Sequence, residues 1–212
     1  MSEKLLAYAL TTEARVKDRL TITGANFDPL IQRLINGVTE FIERSCNRRF
    51  KETVYANEIY SVISPRQEFL ILKQAPVSVL TSLQYRAGTP SNPNWTSFIA
   101  DQYELYEDGD SGIVKVYGGM PRGTNSIRAS YTAGYKINFA NAGDAGDTTP
   151  THTLPYEITE LAERLAVKAF KKREAVGKVQ EGFEGSSVNW QKEMDDDEKE
   201  ILLRHVRIAK FI

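Results

Sequence analysis

The feature that most constrains the fold is the amphipathic segment from Asp28 to Cys46, DPLIQRLINGVTEFIERSC. Asp28 and Pro29 are typical of a helix start, because Asp caps free backbone N–H groups and Pro needs no donor in the first turn. Large apolar residues then recur at helical spacing, on one side of the helix. They are Leu30, Ile31, Leu34, Ile35, Val38, Phe41 and Ile42. Such a stripe must pack against another element, so we predict that this segment is the core helix of the protein.

The composition excludes several classes of protein. A net charge of −1 provides no bulk attraction to nucleic acid or to a membrane. Cys46 is the single cysteine, which leaves no intrachain disulfide and no cysteine metal cluster. No segment approaches the ~20 apolar residues of a membrane span, and the N-terminus does not resemble a signal peptide. We therefore expect no membrane partner and a protein that folds in a reducing cytoplasm.

Further helical patterns lie at the two ends of the chain. Residues 1–10 are predicted to be a loose lead-in, followed by a short helix that Thr11 or Thr12 caps and that ends near Leu20. A second helical pattern begins at Pro155 and ends in a basic run. Its apolar side comprises Ile158, Leu161, Ala162, Leu165 and Ala169. Phe170 lies off that side, so the helix is expected to contact a second partner. The glycine- and serine-rich residues 174–190 are predicted to be a flexible arm. A last helix is expected from Asp195 to Lys210.

Between these ends the pattern changes to short alternating segments. From Lys51 to Gly134 there are six or seven runs of β-branched and aromatic residues separated by Gly-, Pro- and Asn-rich turns, with a slip in the alternation near Leu80. This indicates an antiparallel sheet or a small barrel.

These patterns predict an α+β fold, in which a small helical bundle formed by the N- and C-terminal helices carries an inserted antiparallel β-rich block. The predicted divisions are residues 1–50 for the first helices, 51–135 for the β block, 136–154 for a flexible loop, and 155–212 for the C-terminal helices with their arm.

Motifs that suggest catalysis are weak. Residues 109–112, Gly-Asp-Ser-Gly, resemble the nucleophile motif of chymotrypsin-like proteases. The general base of that family precedes the serine, whereas His152 and His205 both follow Ser111. We interpret the motif as a hairpin turn. No EF-hand loop, zinc spacing or phosphate-binding glycine loop is present, so we predict no enzyme activity, no cofactor and no metal site.

Several stretches resemble the head–tail connector, or adaptor, proteins of tailed phages. They are the core helix ending in Cys-Asn-Arg-Arg-Phe, the segment LILKQAPVSVLTSLQY, and the segment from SIRASYTAGY through a loop to LPYEITELAERLAVKAFKKRE. Their order, across residues 11–210, carries the likeness. It implies a virion protein of the neck, assembled in the bacterial cytoplasm. Such proteins form a ring, typically dodecameric, under the portal, and extend the DNA channel toward the tail.

The implied partners are the portal, a stopper or tail-completion protein, and further copies of the chain. DNA would pass through the ring without sequence recognition. We expect the C-terminal helix to supply the portal contact, with candidate residues Leu203, Arg204, Arg207, Phe211 and Ile212. A basic face is expected to line the DNA channel, with candidate residues Lys168, Lys171, Lys172 and Arg173. For these cations the alternative is helix-dipole compensation on a solvated surface.

Two other functions remain open at this point, besides an unrecognised hydrolase that would act through Ser111. One is another neck protein, a stopper or tail-completion protein, although long terminal helices favour the adaptor. The other is a nucleic-acid-binding regulator, which would need a basic helix to read a groove. The polar side of the core helix instead mixes Glu40 and Glu43 with Arg33 and Arg44.

Overall fold

The computed structural model describes residues 4–89, 91–139, 152–176 and 194–207, with residues 173–176 given through their backbone alone. These residues form two compact units. The helical unit comprises the described residues of Met1–Phe50 and Lys136–Val206. The β unit comprises those of Lys51–Tyr135 and Arg207–Ile212. Helices thus come from both ends of the chain, and antiparallel strands from its middle, which confirms the predicted α+β fold with an inserted β block.

The helical unit is built around α2, Asp28–Ser45, which is the predicted core helix. Ile31, Ile35, Val38 and Ile42 are fully buried, whereas Leu30, Leu34 and Phe41 are half-buried at the edges of the stripe. The prediction that Asp28 caps this helix is wrong. Phe27 is the N-cap without a side-chain bond, and the Asp28 carboxylate accepts a hydrogen bond from Lys17 Nζ at 2.6 Å.

Two further helices pack with α2. The first, α1, spans Glu13–Leu20 and is capped as predicted by Thr12, whose hydroxyl accepts from the Arg15 N–H. The third helix, α3, spans Tyr156–Val176 and begins directly after Pro155. Its buried residues are Ile158, Leu161, Ala162, Leu165, Ala166, Ala169 and Phe170. Phe170 finds a second partner, because its ring meets that of Phe27 edge-on at 5.4 Å.

The segment before α1 is packed, so the prediction of a loose lead-in is wrong for its described part. Ala9 and Leu10 are buried. The Leu10 N–H donates to Thr39 Oγ1 at 3.2 Å, and the Leu6 N–H donates to Asn36 Oδ1 at 3.0 Å. Two side chains of α2 therefore satisfy backbone groups that would otherwise be left without partners.

The last helix of the described chain, α4, spans Asp196–His205. It ends five residues before the predicted end at Lys210, because Val206 is extended, with φ −64° and ψ 122°. The predicted arm at 174–190 lies outside the described residues apart from its first three, which continue α3. The predicted loop at 136–154 is described only at its ends, where Lys136 and Thr153 exchange hydrogen bonds of 2.9 Å.

The β unit contains two antiparallel sheets. The strands are β1 (Thr53–Val62), β2 (Phe69–Ile71), β3 (Val77–Arg86), β4 (Trp95–Ser97), β5 (Tyr103–Leu105), β6 (Ile113–Val116) and β7 (Gly123–Ala133). One sheet has the order β1-β7-β3-β4 and the other the order β2-β6-β5. The register between β3 and β7 shifts on both sides of Leu80, as the broken alternation predicts.

The two sheets share one apolar core. Inward-facing residues alternate with outward-facing ones along each strand, and the buried set includes Leu72, Leu83, Val114, Ile127 and Tyr131. The Tyr131 hydroxyl donates to Glu58 Oε2 at 2.8 Å, so the polar end of this buried ring is satisfied.

Candidate assembly surfaces

The predicted portal contact begins on α4, which is anchored at its first turn. Asp195 and Glu198 form a capping box, and Lys168 of α3 donates to Asp195 Oδ2 at 2.7 Å and to Glu198 Oε2 at 2.8 Å. Leu202 and Met194 are buried. Leu203 follows on another side of the helix and is 71% exposed. The helix thus packs through one side and presents a large apolar side chain to solvent.

The last turn of α4 is tied to the first turn of α3. Arg204 Nη1 lies 3.1 Å from Glu157 Oε2, and His205 Nε2 lies 2.5 Å from Glu157 Oε1. The His205 ring also meets the ring of Phe50 edge-on at 6.2 Å. Tyr156, which precedes Glu157, is 72% exposed. The exposed side chains of Leu203 in α4 and Tyr156 in α3 therefore flank the ion pair between Arg204 and Glu157.

The remaining portal candidates do not join this surface in the described chain. Arg207 belongs to the β unit, where its guanidinium donates to the backbone carbonyls of Leu72 and Ser111, the latter at 3.3 Å. Phe211 and Ile212 lie outside the described residues. Of the five candidates, Leu203 and Arg204 are therefore adjacent and accessible, while Arg207 is engaged within its own chain.

The predicted DNA-facing residues also divide into two groups. Burial alone would lower the pKa of Lys168, but its hydrogen bonds to Asp195 and Glu198 raise that pKa overall, so its charge serves an internal ion pair. Lys171 and Lys172 are exposed on the last turns of α3. Arg173 follows in the same helix, and its side chain lies outside the described residues.

The residues considered for catalysis make hydrogen bonds within the chain and lie in separate segments. The Ser111 hydroxyl donates to the Tyr106 carbonyl at 3.4 Å within the turn. His152 Nδ1 accepts from the Asn138 N–H at 3.1 Å, and burial, helped by the nearby charge of Arg15, lowers its pKa. Among the residues that the structure describes, no group of three His, Cys, Asp or Glu side chains is placed to hold a metal ion. In the same residues, no helix combines the length and apolar character that crossing a membrane requires.

One surface was not anticipated from the sequence. The outer side of the sheet β2-β6-β5 exposes Phe69, Tyr106 and Tyr117 by 46%, 42% and 48%. The signal for this surface in the sequence is a short alternation. Phe69 is followed by the buried Leu70, and Lys115 follows the buried Val114.

Comparison with known proteins decides the family. The family model of the head completion protein matches residues 9–207, which is nearly the whole chain. The chain belongs to the head completion protein family. This membership confirms the predicted likeness to head–tail connectors and the prediction of a virion structural protein at the head–tail junction. No curated protein sequence matches it significantly.

Solved structures share the fold of this head completion protein. A chain from the neck of an empty GTA particle, computed with C6 symmetry, superimposes with a TM-score of 0.57 at 15% identity, covering 99% of this chain and 97% of that one. A chain from the neck of a native GTA particle, computed with C12 symmetry, gives 0.51 at 17% identity, covering 99% and 98%. A chain from the virion of a native gene transfer agent particle gives 0.50 at 14%, covering 100% and 96%.

Proposed function

We propose that this head completion protein is a head–tail adaptor that forms a ring under the portal and extends the DNA channel toward the tail. The family match over residues 9–207 carries the proposal. The symmetric neck assemblies of its structural neighbours support a ring of identical subunits, and a dodecamer is the expected number. The proposed role is structural and non-enzymatic, in a virion neck assembled in the bacterial cytoplasm.

The portal contact is proposed to centre on Leu203 and Arg204. Exposed apolar side chains on a fixed helix bury area at little ordering cost, which suits a contact that must form at many equivalent sites in a ring. Deleting residues 174–212 would be a poor test, because it would remove the buried Leu202 and Met194 and so disturb the helical unit.

A surface substitution tests this contact more sharply. Leu203→Asp should abolish co-sedimentation with purified portal rings while leaving the circular dichroism spectrum unchanged, since Leu203 is 71% exposed. The matched control is Ile99→Asp, which changes an apolar residue that is 66% exposed in the β unit. Portal binding by Leu203→Asp at the wild-type level would refute the assignment of this contact.

The DNA-facing surface is proposed to centre on Lys171, Lys172 and Arg173. A channel wall that carries positive charge interacts with phosphates without reading the sequence. Reversing all three charges should alter DNA retention or ejection in assembled particles. Reversal of Arg122 and Lys136, which are also exposed, is the control and should leave both unchanged. Normal retention and ejection by the triple variant would argue against a channel position.

A further inference from the structure

The β unit has two outer faces, because its two sheets enclose one apolar core between them. The core contains Leu83 and Ile127 from the sheet β1-β7-β3-β4, and Val114 and Val116 from the sheet β2-β6-β5. In each sheet the side chains that alternate with these buried residues point away from the core, so the two outer faces lie on opposite sides of the unit. Both faces expose apolar side chains, but their charges differ in sign.

The outer face of β2-β6-β5, which we name the acidic face, combines aromatic rings with carboxylates. Its central row is Phe69, Lys115 and Glu104, which pair across the three strands. The rings of Phe69 and Tyr106 meet edge-on at 6.1 Å, and Lys115 Nζ lies 4.9 Å from the ring centre of Tyr117. The turn that follows Tyr106 adds the exposed carboxylates of Glu107, Asp108 and Asp110. Together with Glu104 these carboxylates outnumber Lys115, so negative charge prevails here.

The outer face of β1-β7-β3-β4, which we name the cationic face, combines apolar residues with arginines. It includes Val54, Ile59, Val79, Arg86, Trp95 and Arg128. Ile59 pairs with Arg128 in the register of β1 and β7, and Arg86 pairs with Trp95 in that of β3 and β4. The Arg128 guanidinium lies 4.6 Å from the ring centre of Trp95, so two arginines flank one indole ring.

The two arginines of the cationic face keep their charges for an outside partner. Arg86 donates to a backbone carbonyl at 3.0 Å, and Arg128 donates to Gln84 Oε1 at 2.8 Å. Both acceptors are neutral, so neither bond neutralises a guanidinium. In the described strands of this sheet the one acidic residue is Glu58, which faces inward and accepts from the Tyr131 hydroxyl. The outer positions of these strands therefore carry positive charge without a carboxylate.

The two faces are complementary, and each copy of the chain carries both. Contact between two acidic faces or between two cationic faces brings like charges together, which disfavours a two-fold dimer. Contact between unlike faces joins the copies head to tail and leaves one free face at each end for a further copy. Such a row of subunits closes into a wide ring when each copy is turned slightly from the last, by about 30° for twelve copies.

We propose that neighbouring copies of this protein join by packing the acidic face of one β unit on the cationic face of the next. This inference rests on the proposed ring under the portal, and it names the surfaces through which the subunits of that ring meet. Glu104 and Arg128, in the central rows of their faces, provide the charge complementarity. Phe69 and Ile59, in the same two rows, provide apolar area.

Disulfide trapping between two full-length variants, Phe69→Cys and Ile59→Cys, tests this contact. The two are mixed in equal amounts with a mild oxidant, with and without purified portal rings. The mixed disulfide should exceed either homodimer about tenfold or more, because packing of unlike faces raises the local concentration of the two thiols. Phe69 and Ile59 are 46% and 45% exposed, so both positions are accessible. Cys46 does not interfere, because it is buried and its burial raises the pKa of its thiol to about 11.

Charge reversal in the same two variants separates complementarity from random collision. Adding Glu104→Lys to the Phe69→Cys chain, or Arg128→Glu to the Ile59→Cys chain, should lower the yield of the mixed disulfide about fivefold or more. Combining the two reversals should restore the yield, which a folding defect in either chain would not do. The control for Arg128→Glu is Lys136→Glu, which reverses an exposed cation in the helical unit and should leave the yield unchanged.

The contact and the proposed ring can fail separately. Similar amounts of the mixed and homodimeric products, no intermolecular disulfide in either condition, or no rescue by the second reversal would overturn the contact between the faces. If microscopy then still shows a ring of this protein on the portal, the adaptor role stands and the subunits join through other surfaces. A mixed disulfide that follows the charges, together with portal rings that bind none of this protein, would support the contact and refute the adaptor role.

Discussion

Two buried threonines should respond in opposite directions to the same substitution. Thr39 on α2 and Thr159 on α3 are 0% and 1% exposed. Thr39 Oγ1 accepts the Leu10 N–H at 3.2 Å. The Thr159 hydroxyl has no hydrogen-bond partner in the described part of the chain. Replacing Thr by Val exchanges the hydroxyl for a methyl group of similar size, so the change isolates the hydrogen bond from packing.

The magnitudes follow from these environments. Thr39→Val leaves the buried Leu10 N–H without its acceptor, which should lower the free energy of unfolding by about 1–3 kcal/mol. Thr159→Val removes a hydroxyl that was desolvated without compensation, which should raise the free energy of unfolding by about 1 kcal/mol. In a protein of this size each kcal/mol corresponds to about 2–4 °C in melting temperature.

The assay is thermal and urea unfolding followed by circular dichroism at 222 nm. This signal reports the helices, and the described helices α1 to α4 all lie in the helical unit, which contains both threonines. We expect Thr39→Val to melt below the wild type and Thr159→Val to melt above it. Two shifts of the same sign, or a Thr159→Val protein that melts lower, would refute the hydrogen-bond assignment.

Two further predictions concern buried carboxylates. Glu163 of α3 accepts hydrogen bonds from Thr11, Arg15 and Arg19. Glu163→Gln should therefore lower the free energy of unfolding, measured by urea titration, by about 3 kcal/mol. A loss below about 1 kcal/mol would contradict a role of Glu163 in holding α1 against α3. Burial raises the pKa of Glu43, although the Phe50 N–H and Arg49 act to lower it. The stabilisation that this raised pKa provides is fully present below the ordinary pKa of 4.5. It is lost as the pH rises through the pKa of the folded state. The free energy of unfolding of the wild type should therefore increase relative to that of Glu43→Gln when the pH falls from about 7 to about 4.5. A difference that does not change with pH, or that changes in the opposite direction, would contradict the raised pKa.

The parts of the fold that were predictable from the sequence are those with strong local periodicity. The stripe of α2 fixes its buried side because Ile31, Ile35, Val38 and Ile42 can face one core only as a helix. The strands of the β unit follow from alternation and turns for the same reason. Even the register shift near Leu80 is visible as a break in the alternation.

The parts that were missed depend on contacts between residues far apart in sequence. Asp28 has the composition of a cap, but Lys17 of the preceding helix binds its carboxylate. Residues 4–10 have no periodicity, and they are ordered by Thr39 and Asn36, which lie about 30 positions later. The helix α4 ends at His205, earlier than predicted, because Val206 has extended dihedral angles. A helix propensity of a few tenths of a kcal/mol per residue is too weak to fix such a boundary from the sequence.

The candidate surfaces show the same division. The exposed basic residues at the end of α3 and the apolar Leu203 were identifiable from helical spacing. The bonds that Lys168 and Arg207 make within the chain could not be predicted from the sequence, because their partners come from distant segments. The exposed rings of Phe69, Tyr106 and Tyr117 were also missed, because β2 and β5 have only three residues each, so the alternation that signals the outer side of this sheet is short.

The most direct test of the adaptor role is cryo-electron microscopy of purified portal rings mixed with this protein. A head–tail adaptor should appear as a closed ring of identical subunits, stacked directly on the tail-facing side of the portal and continuous with its central channel. Portal rings without added density, or density that appears only when another neck protein separates the two, would contradict it.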